Sequence, residues 1–179
     1  MRRIGAWALA LCLVSGVALA DAASDMTAAA NGFYGAYAKQ KRIGGIPDAA
    51  ARAAYAPYLS PRLTGQLDQA AAAEAAATKK FKAVPPLFEG DLFTSQFEGA
   101  SGWTVGPCIA AGQAGTCKVA LTFARPGQKP VSWTDTLLMV DTASGWKIDD
   151  VAYDAGFASG NSGRLSETIA MVLAQAQAR

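Results

Sequence analysis

The stretch EGDLFTSQFEG, Glu89–Gly99, gathers Glu89, Asp91 and Glu98 with the hydroxyls of Thr94 and Ser95. Carboxylates and hydroxyls at this density are what general acid–base chemistry uses. The chain contains no histidine, which excludes Ser-His-Asp and Cys-His nucleophile arrangements and histidine-ligated zinc. Proton transfer would then fall to carboxylates, tyrosines or lysines. Asp135, between Trp133 and Leu137, and the pair Asp149-Asp150 are the other acids of interest. A carboxylate turned into an apolar interior has a raised pKa and can exchange protons near neutral pH. Tyr34, Tyr37 and Tyr55 are the hydroxyls that could partner it.

The same spacings also serve local structure. Asp91-x-x-Thr94 fits a capped turn, and Ser95-x-x-Glu98 fits a capping box. Gly99 suits a left-handed stop, with Phe88, Phe93 and Phe97 anchoring the turn. Asp149-Asp150 would mark a bulge with both acids solvated. Asp135 would meet solvent or a lysine if the strand slipped by one residue. Whether Asp91 caps the turn or points inward stays open. Trp103, Trp133 and Trp146 could line a pocket for an apolar ligand or fill the core, with Trp146 read as core.

Helices must come first. Met26, Ala30, Phe33 and Tyr37 share one helical face, ended by Gly44-Gly45 and Pro47. Asp48 can cap a second helix within DAAARAAYAPYL. Ser60 can cap a third, with Pro61 at its first position and Leu63 and Leu67 on its buried face. Lys79, Lys80 and Lys82 favour its C-terminal end, and Pro85-Pro86 forbids continuation.

Beyond this point the period becomes two. Trp103 and Val105 alternate, as do Val119, Leu121 and Phe123. Val131 to Met139 and Trp146 to Tyr153 form two further runs. Glycine- and proline-bearing turns separate them, giving at least four antiparallel strands in a meander. A last helix, from about Arg164 to Ala176, places Leu165, Ile169, Val172 and Leu173 on one side. The expected class is α+β: N-terminal helices packed on a curved antiparallel sheet to form a cone, with a C-terminal helix.

Arg2-Arg3, an apolar run from Ile4 to about Val17, and Ala18-Leu19-Ala20 have the form of a signal peptide. Residues 1–20 are therefore expected to be removed near Ala20, leaving 21–179 as one domain in the periplasm or secreted. Cys12 lies inside that apolar run, and the leucine before it does not suit lipid attachment. No later segment is apolar enough to span a membrane. The chain carries 16 Lys+Arg against 14 Asp+Glu, and losing Arg2 and Arg3 leaves 14 against 14. That balance offers no basic patch for nucleic acid or an anionic membrane. No loop has phosphate-binding spacing, and no cofactor or metal is expected. Cys108 and Cys117 then remain, flanking a glycine-rich turn in an oxidising compartment, and a structural disulfide is favoured.

The segments FYGAYAKQK, PYLSPRL, EGDLFTSQFEG and SWTDTLLMVDTASGWKIDDVAYD together resemble a group of bacterial exported proteins of unknown function. That group has the nuclear-transport-factor-2-like fold, also called SnoaL-like or cystatin-like. The resemblance spans nearly all of the mature chain and implies the same cone-shaped α+β fold. It implies no single reaction, because related folds include ketosteroid isomerases, dehydratases, small-molecule binders and adaptor modules. Ketosteroid isomerases of this fold pair an inward carboxylate with a tyrosine or protonated acid.

The leading functional expectation is a non-catalytic binding or interaction module, docking a periplasmic protein or a small apolar ligand, with a homodimer as a further option. The alternative is a small-molecule binder or a carboxylate-dependent isomerase or hydrolase working inside the cone. The candidate residues are Tyr37, Asp91, Trp133, Asp135 and Asp150. Catalysis requires one of the three acids to face a pocket within reach of a tyrosine.

Overall fold

The computed structural model describes residues 14–40, 44–80 and 85–178, with the backbone alone over 14–20. Arg2, Arg3, Cys12 and most of the expected leader, together with Lys82, lie outside the described residues. The element order is α1 (Val14–Tyr37), α2 (Ala49–Tyr55), α3 (Pro61–Lys80), β1 (Gly102–Ala111), β2 (Ala114–Phe123), β3 (Val131–Thr142), β4 (Gly145–Tyr153), β5 (Gly163–Arg164) and α4 (Leu165–Ala178). The chain is an α+β protein with one antiparallel sheet in the order β1-β2-β3-β4-β5. Helix α1 is continuous through Ala18–Ala20.

The helices start where their caps allow. The Asp48 carboxylate accepts the Ala51 N–H at 2.8 Å, and α2 ends sooner than expected, at Tyr55. Ser60 Oγ accepts the Leu63 N–H at 3.0 Å at the head of α3. Each cap satisfies an N–H that the helix itself cannot. The α1 face of Met26, Ala30, Phe33 and Tyr37 is buried. It meets Val119, Leu121, Leu137, Ile148 and Val151 of the sheet in one core.

Gly115 shows how closely α1 approaches the sheet. A Cβ there would lie 2.5 Å from Met26 Sδ and 3.1 Å from Ile109 O, so a larger residue would have to displace the Met26 side chain. Cys108 and Cys117 sit opposite each other in the β1–β2 register and are joined by a disulfide, with Cα atoms 4.1 Å apart. The bridge closes a short loop, for which chain entropy predicts a contribution of roughly 2–3 kcal/mol. Thr27 Oγ1 of α1 donates to Cys108 Sγ at 3.5 Å, so the bridge lies under that helix.

The sheet edges are unequal. Along β4, Ser60 N–H donates to Ile148 O and Ile148 N–H to Tyr58 O, both at 2.8 Å, and β5 pairs further along. The β1 edge has no strand beside it among the described residues. Gly106 and Pro107 break its register between Val105 and Cys108, and a bulge with a proline blunts an open edge.

A second bulge falls in β4. Leu138 pairs with Asp150 and Met139 with Ile148, which leaves Asp149 as the extra residue. The expected bulge is present, but the two acids differ. Asp149 is half-buried, with its Oδ2 2.8 Å from Arg62 and its Oδ1 2.5 Å from Ser60 Oγ. Burial alone would raise its pKa, and the Arg62 and Ser60 hydrogen bonds more than reverse that. Asp150 is only 4% exposed, so it is not solvated. It accepts the Ser166 N–H at 3.0 Å and the Ser166 hydroxyl at 2.6 Å, capping α4 from another element.

Candidate functional site

Residues 91–95 have no regular secondary structure, yet every one is buried. Buried backbone outside helix and sheet must find side-chain partners for its polar groups. This requirement explains most of the interior acids. Asp91 Oδ1 accepts the Phe93 N–H at 2.9 Å. Asp135 Oδ2 accepts the Ser95 N–H at 2.8 Å. Tyr153 OH donates to Leu92 O at 2.6 Å. Asn161 Nδ2 donates to Asp91 O at 2.5 Å and to Thr94 O at 2.8 Å. The segment is thus braced from β3, from β4 and from the loop before β5.

Asp91 both caps and faces inward. Its Oδ2 accepts the Tyr37 hydroxyl at 3.0 Å, and that hydroxyl accepts the Ala100 N–H at 3.0 Å. The carboxyl is 2% exposed and has no ion-pair partner among the described residues. Burial pushes its pKa up to about 6, and hydrogen bonds from Tyr37, Phe93 and Thr94 restrain the rise. Burial also pushes the Tyr37 and Tyr55 hydroxyls well above their usual range, with the Asp91 charge adding to the effect.

A cleft of about 370 Å³ opens beside this pair. It lies between the end of α1, the 44–48 segment, the start of α2 and Asp91–Phe93. Tyr37, Tyr55 and Phe93 wall it, Asp91 lines its interior, and Asp48 and Lys39 are exposed lining residues. Gly44 and Gly45 shape one side. Gly45 N–H donates to Gly90 O at 2.8 Å, and Gly44 has φ +108°, where a Cβ would lie 2.8 Å from Glu89 O. The double glycine therefore does more than end α1: it lets this turn lie against the segment that carries Asp91.

The other candidates sit elsewhere. Asp135 is 0% exposed and faces the interior, meeting neither solvent nor a lysine. Besides Ser95 N–H, it accepts the Ser95 hydroxyl, the Trp133 Nε1–H at 3.0 Å and the Asp154 N–H at 3.2 Å. A carboxylate engaged by four donors is an anchor. Trp133 is buried with Asp135 and packs edge-on against Phe157 at 5.6 Å. Neither residue lines the cleft, and Asp150 is committed to α4.

The capping box is not formed as the local spacing predicts. Ser95 turns its hydroxyl to Asp135, and Glu98 pairs with Arg125 at 2.9 Å. Gly99 does take the left-handed conformation, with φ +80°. Phe93 is buried, but Phe97 is 45% exposed and anchors little. Sequence reasoning did not place Lys39, Asp48, Gly44 or Gly45 at the site, and it missed the bracing role of Asn161. The signal available was two glycines beside a capping aspartate, read there only as helix punctuation.

Among the described residues, no group of three or more His, Cys, Asp or Glu side chains could hold a metal ion, and no helix is long and apolar enough to cross a membrane. Comparison of the chain with protein-family models, with curated proteins and with solved structures finds no match in any of the three.

Proposed function

We propose that the chain is an exported binding domain that holds a small molecule in the cleft beside Asp91 and Tyr37. The observation that carries this reading is a buried carboxyl, hydrogen-bonded to a tyrosine, lining a cleft of ligand size. The proposed export rests on the leader-like N-terminus, and the disulfide suits an oxidising compartment. The nuclear-transport-factor-2-like assignment stays part of the proposal, resting on the sequence resemblance and on helices packed over an antiparallel meander. A carboxyl with a pKa near 6 is also poised for proton transfer near neutral pH, which keeps an isomerase-type reaction as the catalytic form of the same proposal.

The test is to purify the mature protein from its native compartment, extract it with organic solvent and identify what it carried by mass spectrometry. Ala50→Trp blocks the cleft from an exposed lining position. The expected result is a small molecule present in the wild type and absent from a folded Ala50→Trp variant. A ligand retained equally by both would move the site elsewhere.

A second reading has its own observation. Ile109 is 67% exposed and lies in register with Thr116, which pairs with Leu138. This row faces away from the disulfide and could dock a partner protein or a second copy of the chain. Light scattering of wild type and Ile109→Lys would separate a dimer that uses this row from a monomer.

A further inference from the structure

We propose that the cleft selects a small organic cation, an amine joined to a compact apolar or aromatic body. This rests on the preceding reading of the cleft and adds the chemical class of its occupant.

Charge supplies the first argument. Asp91 lines the cleft with no basic partner among the described residues. Desolvating a carboxylate is costly unless a cation or several donors compensate. Its present partners are neutral: the Tyr37 hydroxyl, the Phe93 N–H and the hydrogen bonds of Thr94. A cationic ligand would supply the missing countercharge.

The walls supply the second. Tyr37, Tyr55 and Phe93 line the cleft and also pack on one another, with Tyr55 and Phe93 centroids 5.2 Å apart and Tyr37 and Phe93 6.4 Å apart. Aromatic faces attract ammonium groups and repel anions. The apolar bodies of Ile46, Pro47 and Leu92 line the remainder, which suits a hydrocarbon portion.

Asp48 adds a second acid. Its Oδ1 caps α2 while the side chain borders the cleft, so its charge attracts a cation without being needed as a ligand. Lys39 opposes it, and because both side chains are exposed solvent screens the two alike. Among the described residues, an anionic occupant would meet the buried Asp91 carboxylate, with the exposed Asp48 and Lys39 offsetting each other.

Proton linkage gives the proposal a signature. The titratable groups facing Asp91 are Tyr34 and Tyr37 of α1, Tyr55 of α2 and Tyr153 of β4. Burial pushes all four tyrosines upward, so they stay neutral from pH 5 to pH 7.5. Asp135 of β3 shares Tyr34 as an electrostatic neighbour with Asp91. A cation therefore favours ionised Asp91 and should bind more tightly as the pH rises through about 6.

The experiment titrates the mature protein with 2-phenylethylamine, 2-phenylethanol and 3-phenylpropionate, which share an aryl-ethyl skeleton and differ in charge. Calorimetry at pH 7.5 gives affinities, and the aromatic NMR signals of Tyr55 and Phe93 locate the probe. The amine should bind at least tenfold more tightly than either analogue, and about tenfold more weakly at pH 5. Asp91→Asn should abolish the pH dependence and cut the amine's advantage to about threefold or less. Asp48→Asn retains the α2 cap, because asparagine caps as well as aspartate, and should weaken amine binding about two- to threefold. This second variant and the wild-type pH profile keep the test valid if Asp91→Asn folds poorly. Binding of the alcohol or the acid at the cleft as tightly as the amine overturns the cation proposal and leaves the cleft standing. Absence of amine binding overturns it as well. If no probe binds and the purified protein carries nothing, the cleft reading falls too.

Discussion

Asp135→Ala should be strongly destabilising, lowering stability by roughly 3–5 kcal/mol. The side chain is fully buried and accepts the Ser95 N–H, the Ser95 hydroxyl, the Trp133 Nε1–H and the Asp154 N–H. Truncation leaves these four donors without an acceptor in a site closed to bulk water, where each unsatisfied group costs roughly 1–3 kcal/mol before relaxation. Asp135→Asn keeps one carbonyl acceptor but turns an NH2 group towards donors, so it should lose somewhat less. Asp68→Ala is the control. Asp68 pairs with Arg52 while its side chain stays 58% exposed, and its loss should fall within about 0.5 kcal/mol. Urea unfolding measures all three. A midpoint for Asp135→Ala close to that of the control would show that the interior network is not what holds residues 91–95 in place.

The second large effect is a pH dependence that belongs to Asp91 alone. Its ordinary value of 3.8 is raised to about 6 in the folded protein, so the folded state binds this proton more tightly than the unfolded chain does. The contribution to stability is complete only below the ordinary value, by about pH 3, and is lost as the pH rises through 6. The total is roughly 3 kcal/mol, of which about 2 kcal/mol is lost between pH 4 and pH 7. Other acids run the opposite way. Burial would raise Asp149 and Asp154, but hydrogen bonds from Arg62 and Ser60, and from Thr136 and Lys118, hold both below their ordinary value. Their contributions are present above that value and fade in acid. The wild-type profile alone therefore mixes several groups, and the difference between wild type and Asp91→Asn isolates one. That difference should favour the wild type by about 2 kcal/mol more at pH 4 than at pH 7. Parallel curves across that range would mean that Asp91 titrates as an ordinary surface acid.

The helical faces were legible because they depend on local period. Met26, Ala30, Phe33 and Tyr37 recur at helical spacing, and all are buried. Asp48 and Ser60 were legible as caps because a cap acts within three residues of itself. The cysteine pair was legible because a tight hairpin places the two residues opposite each other. Ser95 was not legible. Its distance from Glu98 fits a capping box, but its true partner is 40 residues away on β3, and tertiary pairing overrode the local option. Asp150 was misread for a related reason. A bulge at Asp149-Asp150 was foreseen, but not that Asp150 would be drawn to a helix start 16 residues later. The cleft itself was out of reach. It arises where the double-glycine turn, the α2 start and Asp91–Phe93 converge, and no sequence spacing encodes that meeting.

The bracing of residues 91–95 has a consequence for how the molecule breathes. Loop amides ordinarily exchange their hydrogens with solvent quickly, because small local openings expose them. Here the Phe93 and Ser95 amides are held by Asp91 and Asp135, and the Ala100 amide by Tyr37, all on buried groups. Freeing any of them requires the interior contacts of α1 or β3 to come apart. These three amides should exchange as slowly as those in the centre of β2 and β3, which hydrogen–deuterium exchange read by NMR would show. A segment without regular structure would then belong to the slowest-opening unit of the protein, and the wall of the cleft that carries Asp91 would be among its most rigid parts.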